Sequence, residues 1–164
     1  MAWMHSSPEV PSGSDLESVY RSEGLRLQRA LLLFAGDADV ASEAVAEAFA
    51  QALRRGTAIR SPAKWIWRAA FRIAAGELKD RARRARPVAS DPEGRYELPD
   101  DVIDLVAALR KLPPKQRAAV VLHHLDGYSS VEIARILDST PPAVFVHLSQ
   151  GRKRLRHLLE EGDD

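Results

Sequence analysis

A run of basic and polar side chains near the carboxyl end of the sequence has the composition of a nucleic-acid contact. It comprises Ser149, Gln150, Arg152, Lys153 and Arg156. Arginine and lysine neutralise phosphates, while glutamine and serine can hydrogen-bond to base edges. A helix that presents such side chains on its outer face fits the major groove of duplex DNA. We therefore expect this run to contact duplex DNA.

The segment before this run has the signals of a helix-turn-helix that would position it. Ser129 and Glu132 have the spacing of a capping box, which predicts a helix start. Asp138 follows at a turn, where aspartate tolerates a left-handed backbone. Pro141 and Pro142 favour the start of a second helix near residue 142. Its apolar stripe comprises Val144, Leu148, Gly151, Leu155 and Leu158. The alternative interpretation is an ordinary helical hairpin with solvated charges.

A second candidate surface lies in the helix predicted from Pro62 to about Arg84, where aromatic and basic residues are interleaved. Its candidate contacts are Trp67, Arg68, Phe71, Arg72, Lys79 and Arg83. Single-stranded nucleic acid is bound by rings that stack on bases and by cations that follow the backbone. The alternative is that the aromatic residues are core residues. We expect Trp65 to be buried, and the pattern does not decide between burial and exposure for Trp67 and Phe71.

Glu43 and Glu47 lie one helical turn apart in an alanine-rich helix that is predicted to end near Arg55. The residues alone favour a solvated acidic face over a binding site. The apolar positions expected to point inward in this helix and the one before it include Leu53 and Tyr20.

The sequence contains no recognisable catalytic constellation. It has no glycine-rich phosphate loop, no H-E-x-x-H and no nucleophile elbow, and its five histidines share no metal-ligand spacing with an acidic partner. We therefore expect no enzyme activity, no cofactor and no metal. The absence of cysteine fits a reducing cytoplasm, and no apolar run is long enough for membrane insertion.

Composition and periodicity predict an all-α fold made of two small helical domains joined by a flexible linker. Of the 164 residues 45% are hydrophobic and 29% are charged, with a net charge of +1. We expect a disordered tail over residues 1–14, a first domain over 15–86, a linker rich in proline and acidic residues over 87–99, and a second domain over 100–160.

The chain resembles the extracytoplasmic-function (ECF) group of bacterial RNA polymerase sigma factors, from Leu16 to Leu159. The most specific part is LRKLPPKQRAAVVLHHLDGYSSVEIARILDSTPPAVFVHLSQGRKRLR, which is similar to the family's fourth conserved region. The stretches DADVASEAVAEAFAQAL and SPAKWIWRAAFRIAAGELKDRARR resemble its second region. An ordered set of such motifs is far more specific than a single helix-turn-helix.

The resemblance implies a protein that binds core RNA polymerase and directs initiation at particular promoters. Glu43 and Glu47 would bind the polymerase clamp, the helix from Trp65 to Arg84 would open the −10 promoter DNA and hold a flipped base, and the last domain would read the −35 element. Further partners implied are promoter DNA and an anti-sigma factor or accessory regulator. The alternatives are a stand-alone helix-turn-helix regulator and a sigma-like protein-interaction adaptor.

Several positions differ from the family pattern. Ala46 stands where glutamine is usual in the clamp-binding helix, and Arg72 where asparagine is usual in the strand-opening helix. The recognition helix has Phe145, Val146, His147 and Gln150 in place of the usual Lys, Ser, Arg and Arg. Fewer cations release fewer counterions, so we expect weaker and less salt-dependent duplex binding, for which a helper protein could compensate.

Overall fold

The protein is built from seven α-helices over the residues that a computed structural model describes, 13–84 and 99–162. The helices are α1 (Gly13–Ala35), α2 (Ala38–Arg55), α3 (Pro62–Arg83), α4 (Asp100–Arg110), α5 (Pro114–Val120), α6 (Ser130–Leu137) and α7 (Pro141–Glu161). A 3-10 turn, Gly56–Ala58, follows α2, and a π-helical turn, Val121–Leu125, extends α5. The predicted all-α class is confirmed. No helix within the two described ranges has the length and apolar character of a membrane span.

Helices α1 to α3 form the first half of the molecule. Gly36 ends α1 with a φ of 67°, a left-handed conformation that glycine adopts without strain. The Asp37 side chain then caps α2 by accepting hydrogen bonds from the backbone N–H groups of Asp39 (2.8 Å) and Val40 (3.0 Å). Asp37 also pairs with Arg81 of α3 at 3.0 Å, which ties the start of α2 to the end of α3.

Helices α4 to α7 form the second half, in which α5 and α7 cross closely. Gly151 of α7 is buried, and a Cβ added there would lie 2.8 Å from Val120 Cγ2 and 3.3 Å from the Gln116 carbonyl oxygen. A separation of 2.8 Å is too short for two carbon atoms, so a larger residue would force the helices apart. Helix α5 therefore packs on the side of α7 opposite its outer face.

The two halves pack against each other, and their buried residues belong to one contiguous hydrophobic cluster. Arg117 of α5 is buried and donates hydrogen bonds to the carbonyl oxygens of Phe34 (2.7 Å) and Leu112 (3.2 Å). The Phe34 carbonyl belongs to the last turn of α1, where helical carbonyls lack partners within their own helix. A Cβ at Gly36 would collide with the Arg110 side chain, so α4 also approaches this turn closely.

Residues 1–12 and 85–98 lie outside the described ranges, and these include nearly all of the expected tail and linker. Helix α1 begins at Gly13, two residues before the expected domain boundary. Whether residues 15–86 and 100–160 fold as independent domains stays a prediction.

Three expectations about packing are wrong. Tyr20 and Leu53 were expected inside but are 59% and 62% exposed, since no described element covers the outer side of α1 and α2 at these positions. Tyr20 instead packs edge-on against Phe49, with 5.3 Å between ring centroids. Trp65 is only partly buried, and the Arg55 guanidinium lies 5.7 Å from its ring.

Candidate nucleic-acid interface

The helix-turn-helix begins with the capping box that the sequence predicts. The Ser129 hydroxyl accepts a hydrogen bond from the Glu132 backbone N–H at 3.2 Å, and the Glu132 carboxylate accepts one from the Ser129 N–H at 3.3 Å. These hydrogen bonds to the Ser129 backbone and side chain lower the pKa of Glu132. Helix α6 is therefore fixed at its first turn by reciprocal contacts.

The turn between α6 and α7 has the left-handed residue that the sequence indicates. Asp138 has φ 55° and ψ 49°, and within residues 13–84 and 99–162 it is the only non-glycine residue with a positive φ. Thr140 then caps α7 by accepting a hydrogen bond from the Ala143 N–H at 3.4 Å. Pro141 follows as the first helical residue, one position before the predicted start. The turn sets α7 at a fixed angle across α6.

Helix α7 has a buried side and a cationic outer side. Val144, Leu148 and Gly151 are buried against the other helices of the second half. Each candidate duplex contact is exposed: Ser149, Gln150, Arg152, Lys153 and Arg156. None of the three cations makes an ion pair with another described residue, and only Gln150 has a side-chain partner, accepting a hydrogen bond from Gln116 at 3.2 Å. This surface is accessible to a polyanion.

The two aromatic candidates of α3 are not accessible. Trp67 and Phe71 are 0% and 1% exposed, so both rings, for which the sequence left burial or exposure open, are buried in this arrangement, and their contact with a melted strand stays a prediction. Phe71 packs on Phe34 of α1, with 5.3 Å between ring centroids. Trp67 meets Tyr128 of the second half edge-on at 5.2 Å and donates a hydrogen bond from Nε1 to Glu23 at 3.2 Å.

The four cationic candidates of α3 are exposed: Arg68, Arg72, Lys79 and Arg83. Two of them have an ion-pair partner that the helical periodicity of the sequence could not predict. Arg68 and Arg72 lie 3.4 Å and 3.8 Å from the carboxylate of Asp138, the turn residue of the helix-turn-helix. Arg83 pairs with Asp80 within its own helix. The Asp138 contacts connect the candidate strand-binding helix directly to the candidate duplex-binding motif.

A second group of charged side chains lies between the halves, at the turn before α6. Arg26 of α1 lies 3.3 Å from the carboxylate of Asp126, and its guanidinium is 5.2 Å from the Trp67 ring. Burial raises the pKa of Asp126 to about 6, although Arg26 opposes the shift. Burial likewise raises the pKa of Tyr128 to about 12. The sequence contained no signal for this cluster because its members are about a hundred residues apart.

Glu43 and Glu47 on α2 are both exposed. A solvated acidic face and a binding site would each require this exposure. Glu47 accepts hydrogen bonds from Gln51 (3.1 Å) and Arg54 (2.9 Å), which lower its pKa. Glu43 and Ala46 are exposed beside it. Glu47 is therefore a carboxylate at neutral pH, but it is already partly neutralised by Arg54.

Comparison with known proteins identifies the family. The model of sigma-70 region 4 matches residues 103–155, which contain the helix-turn-helix. The ECF RNA polymerase sigma factor SigM of Mycobacterium tuberculosis is 30% identical over 153 residues, which cover 87% of this chain and 76% of SigM. The chain belongs to the ECF sigma factors. The RNA polymerase sigma factor CarQ of Myxococcus xanthus is 38% identical over 77 residues, 47% of this chain and 40% of CarQ.

Two solved structures share the fold of this ECF chain. RpoE of Bartonella quintana, in complex with the anti-sigma factor NepR, has a TM-score of 0.73 at 20% identity, covering 90% of this chain and 98% of RpoE. CnrH, in complex with the cytosolic domain of CnrY, has a TM-score of 0.68 at 21% identity, covering 92% of this chain and 90% of CnrH. Each alignment extends over both helical halves of the present chain.

The described part of this sigma factor offers no candidate metal centre, since no group of three or more histidine, cysteine, aspartate or glutamate side chains is suitably placed in it.

Proposed function

We propose that this ECF sigma factor divides its work between its two halves, with the first half on core polymerase and the −10 DNA and the second half on the −35 duplex. The observation that carries the proposal is the exposed cationic side of α7, set behind the capping box and left-handed turn of the helix-turn-helix. Recognition helices lie in the major groove with their first residues on base edges, while flanking cations hold phosphates. The assigned duplex contacts are Ser149, Gln150, Arg152, Lys153 and Arg156.

The polymerase contact is assigned to Glu43 and Glu47. Both carboxylates are exposed on α2, one helical turn apart, so a basic partner surface can reach both. We expect Glu43→Arg combined with Glu47→Arg to abolish co-purification with core polymerase. The matched control is Glu160→Arg with Glu161→Arg, which changes the charge equally at an exposed site on α7. Normal co-purification of the α2 double variant would refute this assignment.

The melted strand is assigned to the exposed cations of α3: Arg68, Arg72, Lys79 and Arg83. Arg68 and Arg72 can follow a phosphate backbone only after they leave Asp138. Because Trp67 is covered by Tyr128, its ring can meet a base only if the second half moves away from α3. Phe71 is packed within the first half, and its contribution would be to hold α3 in place.

The proposed function also implies partners and a location. The sigma factor RpoE was solved in a complex with an anti-sigma factor, and CnrH was solved with the cytosolic domain of CnrY. The RpoE complex supports a comparable protein regulator for this chain. Acting on core polymerase places the chain in the cytoplasm. Its role is regulatory, and it would contribute no catalytic group of its own.

Run-off transcription with purified core polymerase on a genomic promoter library tests the proposed function. We expect a defined set of transcripts that requires both the chain and core enzyme. A gel-shift assay with and without core enzyme separates this function from a stand-alone regulator, which would bind its site tightly alone. Tight specific binding without polymerase, or no transcript in its presence, would refute the proposal.

A further inference from the structure

Two apolar side chains lie on the outer face of the recognition helix, where duplex-binding helices usually carry polar groups. Phe145 is 64% exposed and Val146 is 49% exposed. Single exposed apolar residues are ordinary on protein surfaces. Two neighbours on the face that carries the candidate DNA contacts are more informative, because a bound partner would cover both.

The positions of Phe145 and Val146 along α7 relate them to the cations. In a helix with 3.6 residues per turn, Phe145 begins a stripe that continues with Ser149, Arg152 and Arg156. Val146 begins the neighbouring stripe, which continues with Gln150, Lys153 and His157. Each stripe is therefore apolar near the start of α7 and polar or cationic further along, with roughly 10 Å of helix between Phe145 and Arg152.

Duplex DNA offers surfaces that match this order. The first turns of a recognition helix approach base edges, whereas side chains further along reach the sugar-phosphate backbone. Among the four bases only thymine presents a methyl group in the major groove, and phenylalanine is one of the side chains that contact it. The cations of the same stripes favour a polyanion over an apolar protein surface as the partner.

We infer that Phe145, with Val146 beside it, reads thymine methyl groups in the upstream promoter element. The inference rests on the proposed duplex-binding function of the second half and adds the chemistry by which part of the sequence is recognised. It also assigns a role to Phe145 and Val146, two of the positions at which the chain differs from the family pattern. Phe145 stands where lysine is usual, so general affinity for phosphate is lower, and the apolar pair supplies a base-specific contact instead.

The experiment replaces each thymine of the upstream element by deoxyuridine, one at a time, in a promoter that the purified holoenzyme transcribes. Deoxyuridine pairs normally but lacks the methyl group. We expect one or two positions at which the replacement weakens holoenzyme binding about fourfold, as removal of one methyl group from an apolar contact would. With Phe145→Ala, replacement at the same position should have no further effect.

The controls separate this contact from general binding. Leu25→Ala removes an apolar side chain that is equally exposed, at 63%, on α1, and should preserve the sensitivity to deoxyuridine. Arg156→Ala should weaken binding to thymine and deoxyuridine promoters alike, because a phosphate contact does not depend on the base.

Three outcomes would overturn the inference. The first is an upstream element that tolerates deoxyuridine at every position, and the second is an equal effect of deoxyuridine on the original protein and on Phe145→Ala. In both cases binding to the promoter persists, so the proposed function survives. The third is the absence of any promoter-dependent transcript, which would remove the proposed function and this inference together.

Discussion

The carboxyl group of Asp126 should make the protein more stable at mildly acidic pH than at alkaline pH. Its side chain is 3% exposed, with Arg26 at 3.3 Å, and one carboxylate oxygen is buried with no hydrogen-bond partner among the described residues. Burial raises the pKa from 3.8 to about 6, and the neighbouring Glu23 adds to the shift while Arg26 opposes it. The folded protein therefore binds a proton more tightly than the unfolded chain, and it gains stability as the pH falls through the folded pKa.

The magnitude follows from the two pKa values. Between pH 8 and pH 5 the gain is about 1.4 kcal/mol, and it is complete only below the unfolded pKa. In Asp126→Asn, which has no titrating group, this contribution disappears. Urea unfolding of both proteins at several pH values measures the difference between their free energies of unfolding. Burial lowers the pKa of His124, which has the opposite effect on stability, but His124 is present in both proteins and its effect cancels in the difference. If the two proteins show the same change in stability between pH 8 and pH 5, the assignment to Asp126 is wrong.

Three further substitutions test the packing that supports the site. Gly151→Ala places a methyl group against Val120 and should cost about 1–3 kcal/mol in thermal unfolding, whereas an unchanged melting temperature would mean that α5 and α7 can separate freely. Ser129→Ala removes the capping hydroxyl of α6 and should cost about 1 kcal/mol, and Ser129→Thr, which keeps a hydroxyl, should retain most of the stability. Arg117→Met leaves the Phe34 carbonyl without its hydrogen-bond donor and should lower the free energy of unfolding by about 1–3 kcal/mol. Amide hydrogen exchange at the contact between the halves should become faster. Exchange at the original rate would refute the role of Arg117 in this contact.

Local features of the fold could be predicted from the sequence because the groups that determine them are neighbours in the chain. Ser129 and Glu132 are three residues apart and cap each other, and Asp138 takes the left-handed turn that its side chain tolerates. The predicted end of α2 near Arg55 agrees with the structure, where Gly56 follows as the C-cap. Ser61 differs from Ser129, since it lies at the N-cap position of α3 but its side chain makes no capping hydrogen bond.

The buried face of α3 could not be predicted because two apolar stripes compete in that helix. The helical period of the sequence fits an inward stripe of Trp65, Ile66, Ala69, Ile73 and Leu78. The buried residues are Ile66, Trp67, Ala70, Phe71 and Ala74. They form a stripe that lies beside the first one around the helix axis. Both stripes satisfy the helical period, and only the position of Phe34 and of Tyr128, which come from α1 and from the second half, selects between them. Contacts between distant segments also explain why the pairing of Arg68 and Arg72 with Asp138 was not foreseen.

The two candidate DNA surfaces differ in what must happen before they can bind. The cations on the outer side of α7 are exposed and have no acidic partner among the described residues, so duplex DNA can reach them while the halves stay packed. Arg68 and Arg72 are paired with Asp138, but all three side chains are at least 45% exposed, and such ion pairs contribute only about 0–1 kcal/mol. A row of phosphates can therefore compete for these arginines at little cost. Exposing Trp67 is a larger change, because its ring must leave Tyr128 and its indole N–H must leave Glu23. On the proposed assignment, duplex contact by the second half would require the smaller rearrangement, and burial of Trp67, rather than the ion pairs, would oppose binding of the melted strand.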